Sequence, residues 1–368
     1  MRILFSGYPS PFVGGGEVSA LTLVKKLAQE HDVTTFGILP AQLPKEADLP
    51  DRITLYKVDL PHLLTRRLFP YHLRTLLLEL VASNMLSNLI GNVQPELVIA
   101  QEPAIRVSRR QKARVLMFVR SYDYWFSSFY PSWWKRVYNE PFTRFRSRRN
   151  LTILQEADLV LANSKFTAKK LYKVGIKTGV VYPFIDLSSY EAPRDGRGEF
   201  ILFASRTYLK GVDIVLQIAK ELPDQKFVIV GSITESLKEE IRRHKNVELR
   251  GFCYNMQDVY AKAKIVLVPS LSEESFGRIP IEAGINGIPT VASNRGGLPE
   301  SVGEGGILIK DIWDIEKWIG AIERLDNPKT HVEFSEKAIE NAKRLGFEKT
   351  FQEFKELVDT SLNLPEPL

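Results

Sequence analysis

Cysteine occurs once, at Cys253, in a chain of 368 residues. A single thiol excludes an intramolecular disulfide framework and any metal centre built on clustered cysteines. Histidine is also sparse. His31, His62, His72, His244 and His331 show no ligand spacing, so no metal site is expected. No apolar run approaches the roughly 20 residues of a bilayer span. The longest candidate, Leu76–Leu86, is broken by Glu79 and by polar residues. The opening Met-Arg-Ile-Leu-Phe-Ser-Gly reads as a strand ending at glycine, too short for a secretory leader and lacking a small-residue cleavage site. A cytoplasmic protein is expected. Acidic residues are nearly missing from one window: between Pro103 and Asn150 twelve Arg and Lys residues face only Asp123 and Glu140. That window carries +10 of an overall +6, leaving −4 for the rest of the chain.

What is present is the composition of a globular enzyme, 44% hydrophobic and 26% charged. The length predicts two domains, since single cores rarely grow past ~250–300 residues. Strand Ile3–Ser6, a glycine loop, a helix over about Glu17–Gln29 and strand Asp32–Ile38 form a βαβ unit, hence a parallel sheet. Strands at Glu96–Ala100, Val115–Val119 and Leu159–Ala162 continue the alternation, with helical runs at Leu73–Ile90, Ala104–Lys112 and Thr143–Ala157. Asn163-Ser164 is a good N-cap for a helix over Lys165–Lys173. The Pro, Gly and charge cluster from Glu191 to Gly198 reads as the interdomain linker. The pattern then restarts with strands Phe200–Ala204, Phe227–Val230, Val247–Arg250 and Ile265–Val268, and ends in helices at Ile312–Leu325, Phe334–Arg344 and Lys349–Ser361. The fold class is α/β, two doubly wound units, with boundaries at 1–186, 187–345 and a terminal helix in 346–368 that packs back on the first domain.

In open α/β sheets ligands bind beyond the carboxyl ends of the strands. Ser205-Arg206, Gly231-Ser232, Gly251-Phe252, Pro269-Ser270 and Ser293 with Gly296-Gly297 all stand at such ends. From Pro269 to Glu300 an acidic turn ending in Glu274 leads through Ser275-Phe276-Gly277 into a helix carrying Glu282. Carboxylates suit hydroxyls and a helix start suits phosphate, although a capped core helix explains this stretch equally well by itself. Three glycines at 14–16, before a helix, let main-chain N–H groups approach a ligand closely; a hinge without ligand would read the same.

Taken together, the motif Glu274-Ser275-Phe276-Gly277 … Glu282-Ala283, then Gly287-Ile288-Pro289 and Gly296-Gly297-Leu298-Pro299-Glu300, resembles the donor signature of the family 4 glycosyltransferases. Arg206 with Lys210-Gly211 is similar to the family's basic pair, and Gly14-Gly15-Gly16-Glu17 to its first-domain glycine loop. The resemblance implies a GT-B fold, two Rossmann-like domains facing across a cleft, and a retaining transfer of a hexosyl group from a nucleotide-diphosphate sugar to a glycan, glycolipid or lipid-linked hydroxyl. No metal or other cofactor is implied. Arg206 and Lys210 would neutralise the departing diphosphate, Glu274 would face the sugar or reaction centre, and Glu282 would accept from ribose hydroxyls. Gly15, Gly16, Gly231, Phe252, Phe276 and Gly277 would line the donor. Many members carry a His after the strand matching Val115–Val119; here the stretch reads Arg120-Ser121-Tyr122-Asp123, and either Arg120 or Asp123 takes that place. An epimerase or hydrolase of the same fold, or a non-catalytic sugar-binding subunit, is the alternative.

Aromatic residues crowd the acid-poor window from Tyr124 to Phe142, interleaved with Lys135 and Arg136. Trp and Tyr beside cations suit an anionic membrane surface or a lipid-phosphate acceptor, which would place the protein peripherally on the cytoplasmic face. A core helix with a solvated basic face accounts for the same residues, and single-stranded nucleic acid fits less well.

Overall fold

The alternation of β-branched runs with amphipathic helices appears, in the computed structural model, as two parallel sheets flanked by helices. The structure describes residues 1–6, 14–38, 53–58, 85–86, 88–100, 113–122, 133–194, 196, 198–204, 208–231, 234–253, 255–365 and 367–368; at 37–38, 55–58, 133–139, 141–143, 146, 208 and 236 it describes the backbone alone.

The first sheet contains β1 (Arg2–Ser6), β2 (Asp32–Ile38), β3 (Ile53–Val58), β4 (Leu97–Ala100), β5 (Arg114–Val119), β6 (Leu159–Ala162) and β7 (Gly179–Val180), in the order β3-β2-β1-β4-β5-β6-β7. Its helices are α1 (Gly15–Leu27), α2 (Trp133–Glu156) and α3 (Lys165–Lys173). β1 and β4 are buried almost throughout, as expected of parallel strands covered on both faces. Helix α3 is capped by Ser164, whose Oγ accepts from the Thr167 N–H at 3.0 Å.

The second sheet holds β8 (Phe200–Ala204), β9 (Phe227–Val230), β10 (Val247–Arg250), β11 (Ala263–Val268), β12 (Thr290–Ser293) and β13 (Gly306–Ile309), ordered β10-β9-β8-β11-β12-β13. Its helices are α4 (Val212–Glu221), α5 (Glu235–Ile241), α6 (Gln257–Tyr260), α7 (Ile279–Gly284), α8 (Leu298–Val302), α9 (Ile315–Asp326) and α10 (Pro328–Arg344), followed by α11 (Phe347–Leu362). Trp318 of α9, fully buried, joins Phe203, Ile214, Ile218 and Ile265 in the core, with its Nε1 donating to the Ile312 carbonyl at 3.0 Å.

The chain divides into Met1–Phe184 with Thr350–Leu368, and Ile185–Lys349. Phe354 of α11 packs edge-on against Phe184 at 5.5 Å, and Phe184 against Phe118 at 6.0 Å, all within the first unit. The segment Glu191–Gly198, expected as the linker, is not where the chain passes between units. It is bound into the second: the Ala192 N–H donates to Asn286 Oδ1 (2.8 Å) and Arg194 Nη1 to the Tyr260 carbonyl (2.9 Å). Helix α2 begins ten residues before the expected Thr143 and runs through Pro141. The expected helix at Ala104–Lys112, and all of Leu73–Ile90 except its last residues, lie outside the described residues. Among the described residues no helix is long and apolar enough to cross a bilayer.

Candidate active site

In the second sheet the strand order reverses between β8 and β11, and in open α/β sheets ligands bind beyond the carboxyl ends of the strands at such a reversal. The loop after β8 ends in a 3₁₀ turn, Tyr208–Lys210, and Gly211 then caps α4. The loop after β11 runs from Pro269 to Glu274. A main-chain hydrogen bond ties the two, from the Leu271 N–H to the Leu209 carbonyl at 2.9 Å. Gly211 makes that approach feasible. It sits at φ +85°, and a Cβ there would lie 2.0 Å from the Pro269 carbonyl oxygen.

This junction sets Lys210 against Glu274. The ammonium donates to Glu274 Oε1, and the Ser270 hydroxyl donates to the same oxygen at 2.5 Å. Oε2 has no hydrogen-bond partner among the described residues. The side chain of Lys210 is 38% exposed and that of Glu274 13%, so the pair is reached by solvent from the lysine side.

A third strand end fixes the main chain of Glu274. Beyond β12, the Gly297 N–H donates to the Glu274 carbonyl at 2.7 Å, and Arg295 Nη1 donates to the Leu271 carbonyl. Ser293 Oγ donates to the Ser270 carbonyl at 2.9 Å. Gly296, at φ +63°, leaves only 2.1 Å between a hypothetical Cβ and the Glu274 oxygen. The Gly296-Gly297 pair therefore serves as a close-packed brace under the acidic turn.

Glu282 belongs to a separate hydrogen-bonded group. It is buried on α7, with Arg278 Nε donating to Oε1 (3.0 Å) and Tyr260 Oη to Oε2 (3.1 Å). Arg278 Nη2 donates in turn to Tyr190 Oη at 2.9 Å. Burial, and next the Glu282 carboxylate, push both phenols well above their ordinary range. A carboxylate accepts at about four positions, so two partners leave acceptor capacity for a ligand. Phe276 is buried in the fold, so its main chain rather than its ring is what it offers. Helix α7 has only six residues, and its dipole at Gly277 and Arg278 is correspondingly small.

Gly231 follows β9, its N–H donating to the Arg250 and Gly251 carbonyls at 3.2 Å each, and Phe252, 37% exposed, comes after β10. In the first unit Gly15 and Gly16 open α1, and Arg120 Nη1 donates to the Gly16 carbonyl. The guanidinium lies 5.1 Å over the Phe118 ring, and Asn163 Nδ2 holds the Arg120 carbonyl at 2.9 Å. Arg120, one of two residues expected in place of the missing His, is thus built into the first turn of α1. Asp123 and Arg206 lie outside the described residues, as do the side chains from Tyr124 to Asn139. The side chains of Arg278, Tyr190 and Tyr260 escaped the sequence reading as site residues, and Ser270 entered it only as part of a strand end. Only the four-residue spacing of Arg278 and Glu282 signals one of these contacts. Among the described residues no three His, Cys, Asp or Glu side chains converge as a metal site would need.

The description "Glycosyltransferase Family 4" matches residues 13–189 and "Glycosyl transferases group 1" residues 187–345. The chain belongs to the family 4 glycosyltransferases. Among this family's members it is similar to D-inositol 3-phosphate glycosyltransferases. It is 31% identical over 202 residues to that of Mycobacterium sp. (strain KMS), covering 47% of this chain and 46% of the relative. The enzyme of Catenulispora acidiphila is 30% identical over 237 residues, covering 54% and 55%. The match thus spans about half the length of these curated relatives. Sucrose-phosphate synthase from Thermosynechococcus elongatus superposes with a TM-score of 0.80 at 17% identity, covering 98% of each chain. Anabaena HepE in complex with UDP-glucose gives 0.72 at 19%, covering 98% of this chain and 100% of that one. At such identities the likeness concerns the fold, which is GT-B.

Proposed function

We propose that this family 4 glycosyltransferase moves a hexosyl group from a nucleotide-diphosphate sugar to a hydroxyl on a glycan, glycolipid or lipid-linked acceptor. The observation that carries this reading is the Lys210–Glu274–Ser270 group at the reversal point of the second sheet. Cleaving the bond between the anomeric carbon and the β-phosphate oxygen leaves negative charge on that oxygen, and the transition state is favoured by a cation already in place. Lys210 supplies one; Arg206, four residues earlier, supplies a second with a forked geometry suited to phosphate. As the diphosphate engages Lys210, Glu274 is released toward the hydroxyls of the sugar. The main chain near Phe276 and Gly277, with Gly231 and Phe252, completes the donor side, and Glu282 accepts from the ribose.

Charge neutralisation by side chains requires no metal in this scheme. The acceptor hydroxyl attacks on the face the diphosphate leaves, its proton passing to the departing phosphate oxygen, and the anomeric configuration is retained. Gly15 and Gly16 line the donor, and Asp123 belongs to the acceptor side. The basic, aromatic segment within 103–150 seats the protein on an anionic membrane surface, where a lipid-linked acceptor is presented.

Release of nucleoside diphosphate tests the reading. A panel of nucleotide sugars, beginning with UDP-glucose because the HepE neighbour is solved with it, is first ranked by thermal shift. The stabilising donor is then offered with polyol phosphates, glycans and lipid-linked sugars. Acceptor-dependent release with an unchanged anomer is expected. Acceptor-independent release indicates the epimerase or hydrolase alternative, no release indicates a binding subunit, and an inverted linkage rejects front-face attack.

A further inference from the structure

A carboxylate taken out of water is costly unless other groups replace its hydration. Glu282 has a side chain only 9% exposed, and Arg278, the N-cap residue of α7, is 10% exposed. One turn separates them, so the guanidinium folds back along the helix and donates through Nε to Oε1 at 3.0 Å. Tyr260, fully buried, fixes the other oxygen through its hydroxyl at 3.1 Å. The remaining arm of Arg278 is itself aimed, since Nη2 donates to Tyr190 Oη at 2.9 Å and the guanidinium stands 5.8 Å over the Tyr190 ring. Tyr190 meets Tyr260 edge-on at 6.5 Å, which closes the circuit around the carboxylate.

Tyr190 is held as firmly as what it holds. Asn286, at the end of the turn after α7, donates through Nδ2 to the Tyr190 carbonyl (2.9 Å) and to the Glu282 carbonyl (3.1 Å), while its Oδ1 accepts from the Ala192 N–H (2.8 Å). One amide side chain therefore fastens the segment carrying Tyr190 to the helix carrying Glu282.

We propose that Arg278 and Tyr190 are positioning residues that aim Glu282, and that they thereby set the preference of the donor site for ribose over 2′-deoxyribose. This rests on the assignment of Glu282 to the ribose made above, with the 2′-hydroxyl as the group that donates to it. A carboxylate fixed at both oxygens loses little freedom when it accepts from a sugar hydroxyl, whereas a loose one must be ordered by the ligand itself. Neither Arg278 nor Tyr190 touches the nucleotide in this scheme. Their effect passes through Glu282, so it appears only where the 2′-hydroxyl is present.

The test uses the full chain and calorimetric binding of adenosine, cytidine, guanosine and uridine diphosphates. The tightest of these is compared with its 2′-deoxy form in wild type, Glu282→Gln, Arg278→Gln, Arg278→Lys and Tyr190→Phe. Glu282→Gln is expected to lower the ribose preference by about tenfold, as loss of one charge-assisted hydrogen bond does. Arg278→Gln should approach that loss. Arg278→Lys should recover part of it, and Tyr190→Phe should lose about threefold, as an indirect hydrogen bond to the aiming group would. Binding of the 2′-deoxy form should stay within about twofold in all four, because it never meets the carboxylate through that hydroxyl. If Glu282→Gln lowers the preference while the folded Arg278 and Tyr190 variants keep the wild-type ratio, the positioning role is overturned and the ribose assignment stands. Equal loss of both nucleotides in those variants also overturns it, since that marks a merely structural role. An unchanged ratio in Glu282→Gln, or no nucleotide binding in wild type, removes the ribose assignment and the inference with it. Should Arg278→Gln fail to fold, Tyr190→Phe decides alone, because it removes a single oxygen from the circuit.

Discussion

Replacing Lys210 by alanine separates what the Lys210–Glu274 pair does for the fold from what it does for the reaction. Two unit charges about 4 Å apart attract by about 4 kcal/mol at an effective dielectric of 20. Lys210 is 38% exposed, however, so hydration is regained when the pair is broken, and such pairs contribute a net ~0–1 kcal/mol. Ser270 still donates to Glu274 in the variant, and the loop junction rests on main-chain atoms from Leu209, Pro269 and Leu271 that the substitution does not touch. For a unit the size of Ile185–Lys349, 1 kcal/mol corresponds to about 2–4 °C in Tm, which bounds the expected loss of thermal stability. The transition state loses far more. Removing one preorganised donor to developing negative charge costs about 2.7–4 kcal/mol, or roughly 10²–10³ in turnover. The assay is nucleoside diphosphate release at saturating donor and acceptor, read beside a thermal melt of the same preparation. Lys210→Arg keeps the charge and should retain turnover to within about tenfold of wild type. Alanine at 210 turning over within about threefold of wild type would refute the assignment. So would a fall of Tm by more than about 8 °C with activity lost in step, which would make the pair structural.

Three other perturbations probe different parts of the molecule. Gly296→Ala forces an L-residue to φ +63° and pushes a methyl toward the Glu274 carbonyl, so about 2–4 kcal/mol should be lost in urea unfolding along with most activity. Hydrogen bonds, first from Arg250 and then from Lys226, hold the Glu248 carboxyl at about 2 against an ordinary 4.5. Its folded value is depressed, so its contribution is complete above the ordinary value and disappears as pH falls through the folded one. Glu248→Gln should therefore be less stable than wild type at neutral pH, and the two should converge between pH 4.5 and about 2 in acid unfolding, by under about 1 kcal/mol because the group is largely exposed. Flotation with vesicles containing anionic lipid should recover the protein at low salt and release it at high salt, where screening shortens electrostatic reach to about 3 Å; no flotation at low salt removes the membrane surface.

Strands β6, β8, β9 and β10 begin and end where residue pattern alone places them, because buried parallel strands are short runs of Val, Ile, Leu and Phe bounded by polar or glycine residues. β3, β7, β12 and β13 are given no bounds in that reading. Ile53–Val58 alternates with polar residues, Gly179–Val180 has two residues and Gly306–Ile309 opens on glycine, whereas Thr290–Ser293 enters only through its end at Ser293. Helix α2 starts ten residues before the expected Thr143 and runs through Pro141, a residue whose missing N–H and ring ordinarily mark a helix end. The Glu191–Gly198 cluster looks like a linker for a sound reason, its turn-forming composition. What fastens it is Asn286, 94 residues along the chain from Ala192, which no local pattern reveals. The same limit governs the site. Glu274, Lys210 and the glycines are recognisable as residue types at strand ends, yet the pairing of Lys210 with Glu274 spans 64 residues and depends on the adjacency of β8 and β11. Arg278 could have been found, since a cation one helical turn before a carboxylate is a local signal.

The return of Thr350–Leu368 to the first unit has a consequence in time. Phe184, Phe118 and β5 are made early, but Phe354, the ring that closes over Phe184, is made only after the entire second unit. At about 5–20 residues per second, a ribosome needs roughly ten to thirty seconds to pass from one phenylalanine to the other. By the end of that interval the whole of the second unit has been made, whereas the first still lacks the ring that covers Phe184. The domain synthesised first is therefore the one completed last, and it is the one whose exposed face a chaperone would meet on the nascent chain.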